Sequence, residues 1–301
     1  MPASPHFITG TELDADRLAR LLARAAELKT APNSSRALDG KTVALIFNKP
    51  STRTRTSFES GIFELGGHPM LLRPDETQLT RGESVRDTAY ILSRHASLIG
   101  LRTGDEAEIG GFAEHASVPV VNLLSPLHHP CQALADLQTM AEVLGSLEGR
   151  VVTYVGDGNN VARSLAVVGA LAGVEVRVAA PSGYQLPVGE TPAVLFEDPA
   201  EAVAGADAVY ADVWVSMSDS EDSAAARREA LAPYAIDDAL LDKAGRRDVF
   251  ALHCLPAHPG EEITESVLYG SRQRIWDQAE NRRHAQKALL ELLVSVAPED
   301  G

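Results

Sequence analysis

Along the first half of the chain, short apolar runs alternate with segments whose apolar residues recur at helical spacing. Leu18, Leu21, Ala25 and Leu28 predict an amphipathic helix. Thr11 followed by Asp14 predicts a capping box at its start. The elements predicted after it are strand 41–47, a helix around 58–65, strand 68–72, helix 84–96, strand 97–101, strand 118–123 and helix 132–144.

The second half of the chain repeats this alternation. Its predicted elements are strand 151–155, helix 160–172, strand 175–180, strand 206–212, strand 249–253 and helix 280–296. The serine-rich, acidic stretch 216–223 predicts a mobile loop. Alternation of strands and helices is typical of parallel sheets covered by helices. We therefore expect an α/β protein with two doubly wound parallel-sheet domains and an active site in the interdomain cleft.

Composition and charge narrow the possible classes of protein. A chain of 301 residues with 45% apolar content can form two globular domains. Only Cys131 and Cys254 are available for disulfides, which favours a reducing compartment. No stretch resembles a signal peptide or a membrane span, so a cytoplasmic location is expected. The net charge of −15 argues against nucleic-acid binding and means that an anionic substrate needs local cations.

One polar cluster stands where a strand passes into a helix. It consists of Ser51, Thr52, Arg53, Thr54 and Arg55. Unpaired backbone N–H groups and the helix dipole favour an anion at such a helix start, and arginine binds phosphate oxygens in a bidentate way. The cluster therefore predicts a phosphate site. A capped helix with exposed arginines is the alternative.

Four motifs follow one another along the chain. They read FNKPSTRTRTSFE from residue 47, HPCQALAD from residue 129, DVWVSM from residue 212 and HCLP from residue 253. The first two resemble the motifs of the aspartate/ornithine carbamoyltransferase family, and the last two resemble those of its ornithine branch. The resemblance runs from Phe47 to the C-terminal helix.

The resemblance implies transfer of the carbamoyl group of carbamoyl phosphate to the side-chain amine of L-ornithine. The products are citrulline and phosphate, the metabolic context is arginine metabolism in either direction, and no metal or other cofactor takes part. The implied catalytic residues are Arg53, Arg102, His129 and Cys254. The implied carbamoyl-phosphate-binding residues are Ser51, Thr52, Arg53, Thr54, Gln78, Arg102, His129, Gln132, Cys254, Leu255 and Arg282. The implied ornithine-binding residues are Asn160, Asp212, Ser216 and Met217.

The resemblance also implies domain limits and an assembly. Residues 1–130 form a carbamoyl-phosphate-binding domain completed by the C-terminal helix 280–301, residues 131–149 form a linker helix, and residues 150–279 form an ornithine-binding domain. Gln78 matches a loop that reaches a neighbouring subunit in relatives. A homotrimer, or a multiple of it, is therefore expected.

Several alternatives stay open. The acceptor could be another amine, such as putrescine or a modified ornithine, and a non-catalytic relative could bind carbamoyl phosphate for regulation. The glycines of Gly156-Asp157-Gly158 permit a dinucleotide-binding interpretation, although the third glycine of that motif is missing. The histidines near Cys254 fit no common zinc spacing. Ser218, a shortened segment 181–199 and Pro259 depart from the family pattern and leave the amino-acid specificity open.

Overall fold

In a computed structural model, which describes residues 6–215 and 221–296, the chain divides into two compact units. The first unit comprises Met1–Gln138 together with Glu280–Gly301, and the second comprises Thr139–Ala279. Within the described ranges, no helix combines the length and apolar character needed to cross a membrane.

The first unit is built on a four-stranded parallel sheet. Its elements are α1 (Ala15–Thr30), β1 (Thr42–Phe47), α2 (Thr52–Glu64), β2 (His68–Leu72), α3 (Val85–Leu92), β3 (Leu98–Arg102), α4 (Glu106–His115) and β4 (Val120–Leu124). Two helices, α5 (Pro130–Leu144) and α11 (Ile275–Val296), contribute residues to both units, because the division falls after Gln138 and before Glu280. The strand order is β2-β1-β3-β4, and Phe47 at the end of β1 pairs with Arg102 at the end of β3. The chain reverses direction across the sheet between β1 and β3, which is where ligands bind in doubly wound folds.

The second unit carries a five-stranded parallel sheet. Its elements are β5 (Val151–Val155), α6 (Asn160–Leu171), β6 (Glu175–Ala179), β7 (Val194–Phe196), α7 (Pro199–Val203), β8 (Ala208–Ala211), α8 (Glu221–Leu231), α9 (Asp238–Lys243), β9 (Phe250–His253) and α10 (Glu265–Leu268). The strand order is β7-β6-β5-β8-β9. The corresponding reversal lies between β5 and β8, so the loops after these two strands mark the expected ligand end.

The central strands are buried because helices cover the sheets. In the first unit, Ile46 of β1 and Ile99 of β3 pack in one apolar cluster with Ile109 and Phe112 of α4. Each of these side chains is at most 1% exposed, so each contributes about 1.5–3 kcal/mol of hydrophobic free energy. This packing fixes the strand ends that carry the polar motifs.

The expected fold class of two parallel-sheet α/β domains is confirmed. The capping box at Thr11 is wrong, because α1 begins at Ala15 and the Asp14 side chain caps it by accepting from the Arg17 N–H at 2.8 Å. Helix α4 and strand β7 were not predicted. The mobile loop predicted for 216–223 is wrong for 221–223, which begin α8, and its other residues lie outside the described ranges.

Candidate active site

The start of α2 brings the predicted phosphate residues onto one helix turn. Ser51 is the N-cap in an extended conformation, and its hydroxyl makes no capping hydrogen bond to the first-turn N–H groups. Thr54 is 1% exposed, and Arg53 is half-buried. A helix start of this kind presents backbone donors and a positive dipole end to a ligand.

Arg282 of α11 organises the same place from the far end of the sequence. One guanidinium nitrogen donates to Thr54 Oγ1 at 2.8 Å, and the other donates to Gln132 Oε1 at 2.7 Å. Arg102, at the end of β3, also donates to Thr54 Oγ1, at 3.3 Å. The side chain of Gln132 is further fixed because its Nε2 donates to the buried Asp136 at 2.8 Å. Two guanidinium groups thus converge on one threonine hydroxyl.

His129 lies beside this pair of cations in its neutral form. Its Nε2 is 3.4 Å from Arg282 Nη1, and because a guanidinium group can only donate, Nε2 must accept and Nδ1 carries the ring proton. Burial lowers the pKa of His129 well below 6.5, and the charges of Arg282, Arg102 and Arg53 lower it further. His129 is therefore a neutral donor surrounded by permanent positive charge.

Three predicted carbamoyl-phosphate residues are not part of this cluster: Gln78, and Cys254 and Leu255, which belong to the second unit. The first of them, Gln78, lies in the first unit. It is exposed and lies between two short 3-10 turns, Pro74–Glu76 and Leu79–Arg81. Thr52 is also exposed, at the first turn of α2. Arg55 points to another partner, because its Nε donates to Glu59 at 2.7 Å.

In the second unit, the loops after β5 and β8 meet at a carboxylate. Asp212, 6% exposed, follows β8 and accepts through Oδ2 from the Asn159 side-chain amide at 2.8 Å. Asn159 is the N-cap of α6, and its Oδ1 accepts from the N–H groups of Val161 and Ala162 at 2.9 and 3.2 Å. Asn159 therefore holds Asp212 relative to the helix start. The family resemblance had implied a role only for its neighbour Asn160.

Cys254 and Leu255 follow β9 and join this carboxylate. Cys254 Sγ lies 2.6 Å from Asp212 Oδ1, so the thiol donates to the carboxylate. Leu255 has a φ of 63°, a left-handed conformation that is rare for a branched side chain, and its N–H donates to His253 Nδ1 at 2.8 Å. His253 Nε2 therefore carries the proton that it donates to the buried Glu262 at 3.1 Å. Buried polar contacts thus hold the cysteine loop.

The remaining residues predicted to bind ornithine are Asn160, Ser216 and Met217, and the structure describes only the first of them. Asn160 is half-buried and is the first residue of α6. Ser216 and Met217, with Ser218, lie outside the described residues. Asn159 could have been found from sequence, because an asparagine before a helix start is a strong N-cap signal.

The turn after β5 does not support dinucleotide binding. A Cβ at Gly158 would come within 2.6 Å of the Leu186 nitrogen and 2.8 Å of the Tyr184 oxygen. The Gly158 N–H also donates to that Tyr184 oxygen at 2.7 Å. The chain's own segment 184–186 therefore occupies the space that this glycine opens.

One possible metal-ligand group is found among the described residues. It consists of His258, Glu261 and Glu262, whose ligand atoms lie within 4.8 Å of one another. Two of these already have charged or polar partners, since Glu261 pairs with Arg228 at 3.1 Å and Glu262 accepts from His253. Cys254 is not part of the group, and this arrangement does not support a metal centre.

The fold and the two polar clusters define an α/β protein with converging arginines at a helix start in one unit and an anchored carboxylate in the other. The profile of the aspartate/ornithine carbamoyltransferase carbamoyl-P binding domain matches residues 5–142, and that of the Asp/Orn binding domain matches residues 148–293. The chain belongs to the aspartate/ornithine carbamoyltransferase family.

Individual relatives agree with this assignment. An ornithine carbamoyltransferase from Acidothermus cellulolyticus is 50% identical, over 97% of each chain. The crystal structure of ornithine carbamoyltransferase from Thermus thermophilus is 42% identical, with a TM-score of 0.90, and the match covers 96% of this chain and 99% of that one. An anabolic ornithine carbamoyltransferase from Campylobacter jejuni is 33% identical, with a TM-score of 0.87, over 96% and 98% of the two chains.

Proposed function

We propose that this chain transfers the carbamoyl group from carbamoyl phosphate to the side-chain amine of L-ornithine. The amine nitrogen attacks the carbamoyl carbon, the bond from that carbon to the phosphate oxygen breaks, and inorganic phosphate leaves. The amine loses a proton, and the product is L-citrulline. The observation that carries the proposal is the convergence of Arg282 and Arg102 on Thr54 at the start of α2.

The phosphate end of carbamoyl phosphate binds at the start of α2. The dianion accepts from backbone N–H groups of the first turn and from Arg53, Arg102 and Arg282, whose charges are already held in place. Fixed donors need no reorganisation when negative charge moves onto the leaving phosphate, so they lower the barrier. Gln78 joins this set from a neighbouring subunit.

The carbamoyl end is bound by His129, Gln132 and Arg102. As the amine attacks, the carbonyl oxygen becomes negative, and Arg102 with the neutral N–H of His129 stabilises it. Gln132 accepts from Arg282 through its oxygen and donates to Asp136 through its nitrogen. That arrangement fixes the amide dipole beside the carbamoyl group.

The amino-acid end of ornithine binds in the second unit. Asp212 attracts the protonated α-amino group and so selects which end of the molecule is held. Asn160, Ser216 and Met217 contact the same end. Cys254 and Leu255 contact the reacting centre, with Asp212 accepting from the thiol at 2.6 Å. An acceptor without an α-amino group, such as putrescine, would lose the Asp212 contact.

Domain limits, assembly and location belong to the same proposal. We assign residues 1–130 with 280–301 to carbamoyl phosphate, 131–149 to the linker and 150–279 to ornithine. A homotrimer, or a multiple of it, is proposed from the resemblance of the Gln78 loop to one that reaches a neighbouring subunit in relatives. Two free cysteines support a cytoplasmic location. The Campylobacter relative supports a role in arginine biosynthesis.

A colorimetric citrulline assay with a panel of amines tests the function. We expect product with carbamoyl phosphate and ornithine, and much less product with putrescine, lysine or aspartate. Activity should rise from pH 7 to pH 9, because the attacking amine has an unperturbed pKa of ~10.4 by analogy with lysine. Arg53→Gln should remove most activity, while Arg20→Gln on the exposed face of α1 should not. Full activity in Arg53→Gln, or no carbamoylated product from any amine, would refute the proposal.

A further inference from the structure

Side chains of helix α4 accept hydrogen bonds from residues that follow β1, β3 and β4, the three strands whose ends lead to the proposed carbamoyl-phosphate residues. We propose that Glu106 and Glu108, on the first turn of α4, are positioning residues that hold these loops in register for carbamoyl phosphate. The inference rests on the proposed function. Neither carboxylate belongs to the four motifs, and the sequence did not predict the helix that carries them.

Glu108 ties the ends of β1 and β3 together. Its two carboxylate oxygens accept from the Asn48 side-chain amide at 3.1 and 2.9 Å. The Thr103 hydroxyl also donates to Glu108, and Thr103 is 2% exposed. Asn48 precedes the Ser51 helix start, and Thr103 directly follows Arg102. The Glu108 carboxylate therefore connects the loop after β1, which leads to Ser51, with the end of β3, which carries Arg102.

Glu106 ties down the loop that follows β4. One oxygen lies 3.0 Å from His128 Nδ1, and the other accepts from the Leu127 N–H at 3.2 Å. Burial by itself would raise the pKa of Glu106, but hydrogen bonds from His128, Ser125 and the Leu127 N–H outweigh burial and lower it. His128 directly precedes His129, so the contact between Glu106 and His128 fixes the backbone position from which the His129 side chain extends.

A purely local role for these carboxylates explains less of the geometry. Acidic residues on a first helical turn commonly serve the helix dipole or the cap. In α4 the cap is already Asp105, whose Oδ1 accepts from the Ala107 N–H at 2.9 Å. Glu106 and Glu108 instead direct their oxygens to side chains and an N–H of other loops. Two negative charges near a phosphate site also disfavour the anion, so a benefit from positioning must offset that cost.

The test compares Glu106→Ala, Glu108→Ala and their Gln counterparts with Asp87→Asn, which alters an exposed first-turn carboxylate of α3. We expect each alanine variant to raise the KM for carbamoyl phosphate ~10-fold, as for loss of a hydrogen bond to a charged group. The KM for ornithine should stay within about twofold, since ornithine binds in the other unit. Glu108→Gln should recover most of the loss, because its amide oxygen can still accept from Asn48 and Thr103. Asp87→Asn should behave as the wild type.

A second readout separates positioning from folding and from the proposed activity. Titration calorimetry with inorganic phosphate should show weaker binding to Glu106→Ala and Glu108→Ala at a temperature where thermal unfolding shows both variants folded. Unchanged phosphate affinity and unchanged carbamoyl-phosphate KM would overturn the inference. An equal rise in both KM values would also overturn it. If the wild type produced no citrulline, the proposed function would fail while the phosphate titration still decided the positioning role.

Discussion

Replacing Arg282 with methionine tests the phosphate site at its most constrained residue. The guanidinium group is buried and donates to Thr54 Oγ1 at 2.8 Å and to Gln132 Oε1 at 2.7 Å. Methionine keeps much of the side-chain volume and removes the charge and the donors. A hydrogen bond between a charged donor and phosphate contributes about 1.5–3 kcal/mol, so its loss weakens binding ~10- to 150-fold.

Two opposing effects decide what happens to the unliganded protein. Loss of the two hydrogen bonds destabilises the fold, whereas removal of one cation relieves repulsion from Arg53 and Arg102. We therefore expect a modest change in unfolding free energy without ligand and a large change with it. Phosphate at 100 times its Kd stabilises the wild type by about 2.7 kcal/mol. If the Kd rises ~30-fold, the same phosphate concentration stabilises the variant by only about 0.9 kcal/mol.

The assays are steady-state kinetics and urea unfolding with and without phosphate. The KM for carbamoyl phosphate should rise ~10-fold or more, which is the size of effect expected when one charge-assisted hydrogen bond is lost. The matched control is Arg283→Gln, since the neighbouring arginine pairs with Glu64 at 3.2 Å and with Glu280 at 3.5 Å instead of with site residues. A carbamoyl-phosphate KM within twofold of the wild type, with the phosphate stabilisation intact, would show that Arg282 does not bind the substrate.

Three further predictions concern other groups. Because the pKa of His129 is depressed by burial and by nearby arginines, the unfolded chain takes up a proton below pH 6.5 that the folded chain does not hold. Urea unfolding should therefore show that His129→Gln removes roughly 1 kcal/mol of the stability lost between pH 7.5 and pH 5.5, and an identical pH dependence would contradict this. Asp212→Asn should raise the KM for ornithine ~10-fold or more, as expected for loss of one charged contact, and should leave phosphate affinity unchanged in calorimetry. Equal effects on ornithine and phosphate would contradict binding of the two ligands by different residues. Burial raises the pKa of Cys131 to about 12, so a thiol reagent at pH 8 should label one cysteine of the folded chain, and Cys254→Ser should abolish that labelling; two reactive thiols would show that Cys131 is accessible.

The sequence predicted the strands well because buried parallel strands are continuous apolar runs. The strands predicted at 97–101 and 151–155 are observed as Leu98–Arg102 and Val151–Val155, and both are largely buried. Helix α4 was missed because Gly110 and Gly111 interrupt it and lower its intrinsic propensity. A Cβ at Gly111 would come within 3.0 Å of Val85 Cγ1, so this glycine lets α4 approach α3 closely. Tertiary packing here overrides the local signal.

The sequence was enough to predict which types of residue form the site, but much less of which residues contact one another. The STRTR and HPCQ motifs indicated phosphate chemistry, but no spacing rule brings Arg282 to Thr54 across a separation of 228 positions. The resemblance gave Asn160 alone, and the structure shows that the side chain of Asn159 holds Asp212. The roles of Glu106 and Glu108 depend on partners in other loops, which no local pattern specifies.

The charge arrangement explains why the buried histidine belongs in this site. The chain as a whole carries −15, so its background field repels a phosphate dianion and the site must concentrate positive charge locally. Arg53, Arg102 and Arg282 supply that charge permanently, because a guanidinium group does not lose its proton in proteins. A fourth cation would add repulsion in the unliganded state, and burial, followed by the charges of the same three arginines, lowers the pKa of His129 and so prevents it. In the proposed function, the histidine then contributes a directional N–H beside the carbamoyl oxygen while the arginines hold the phosphate.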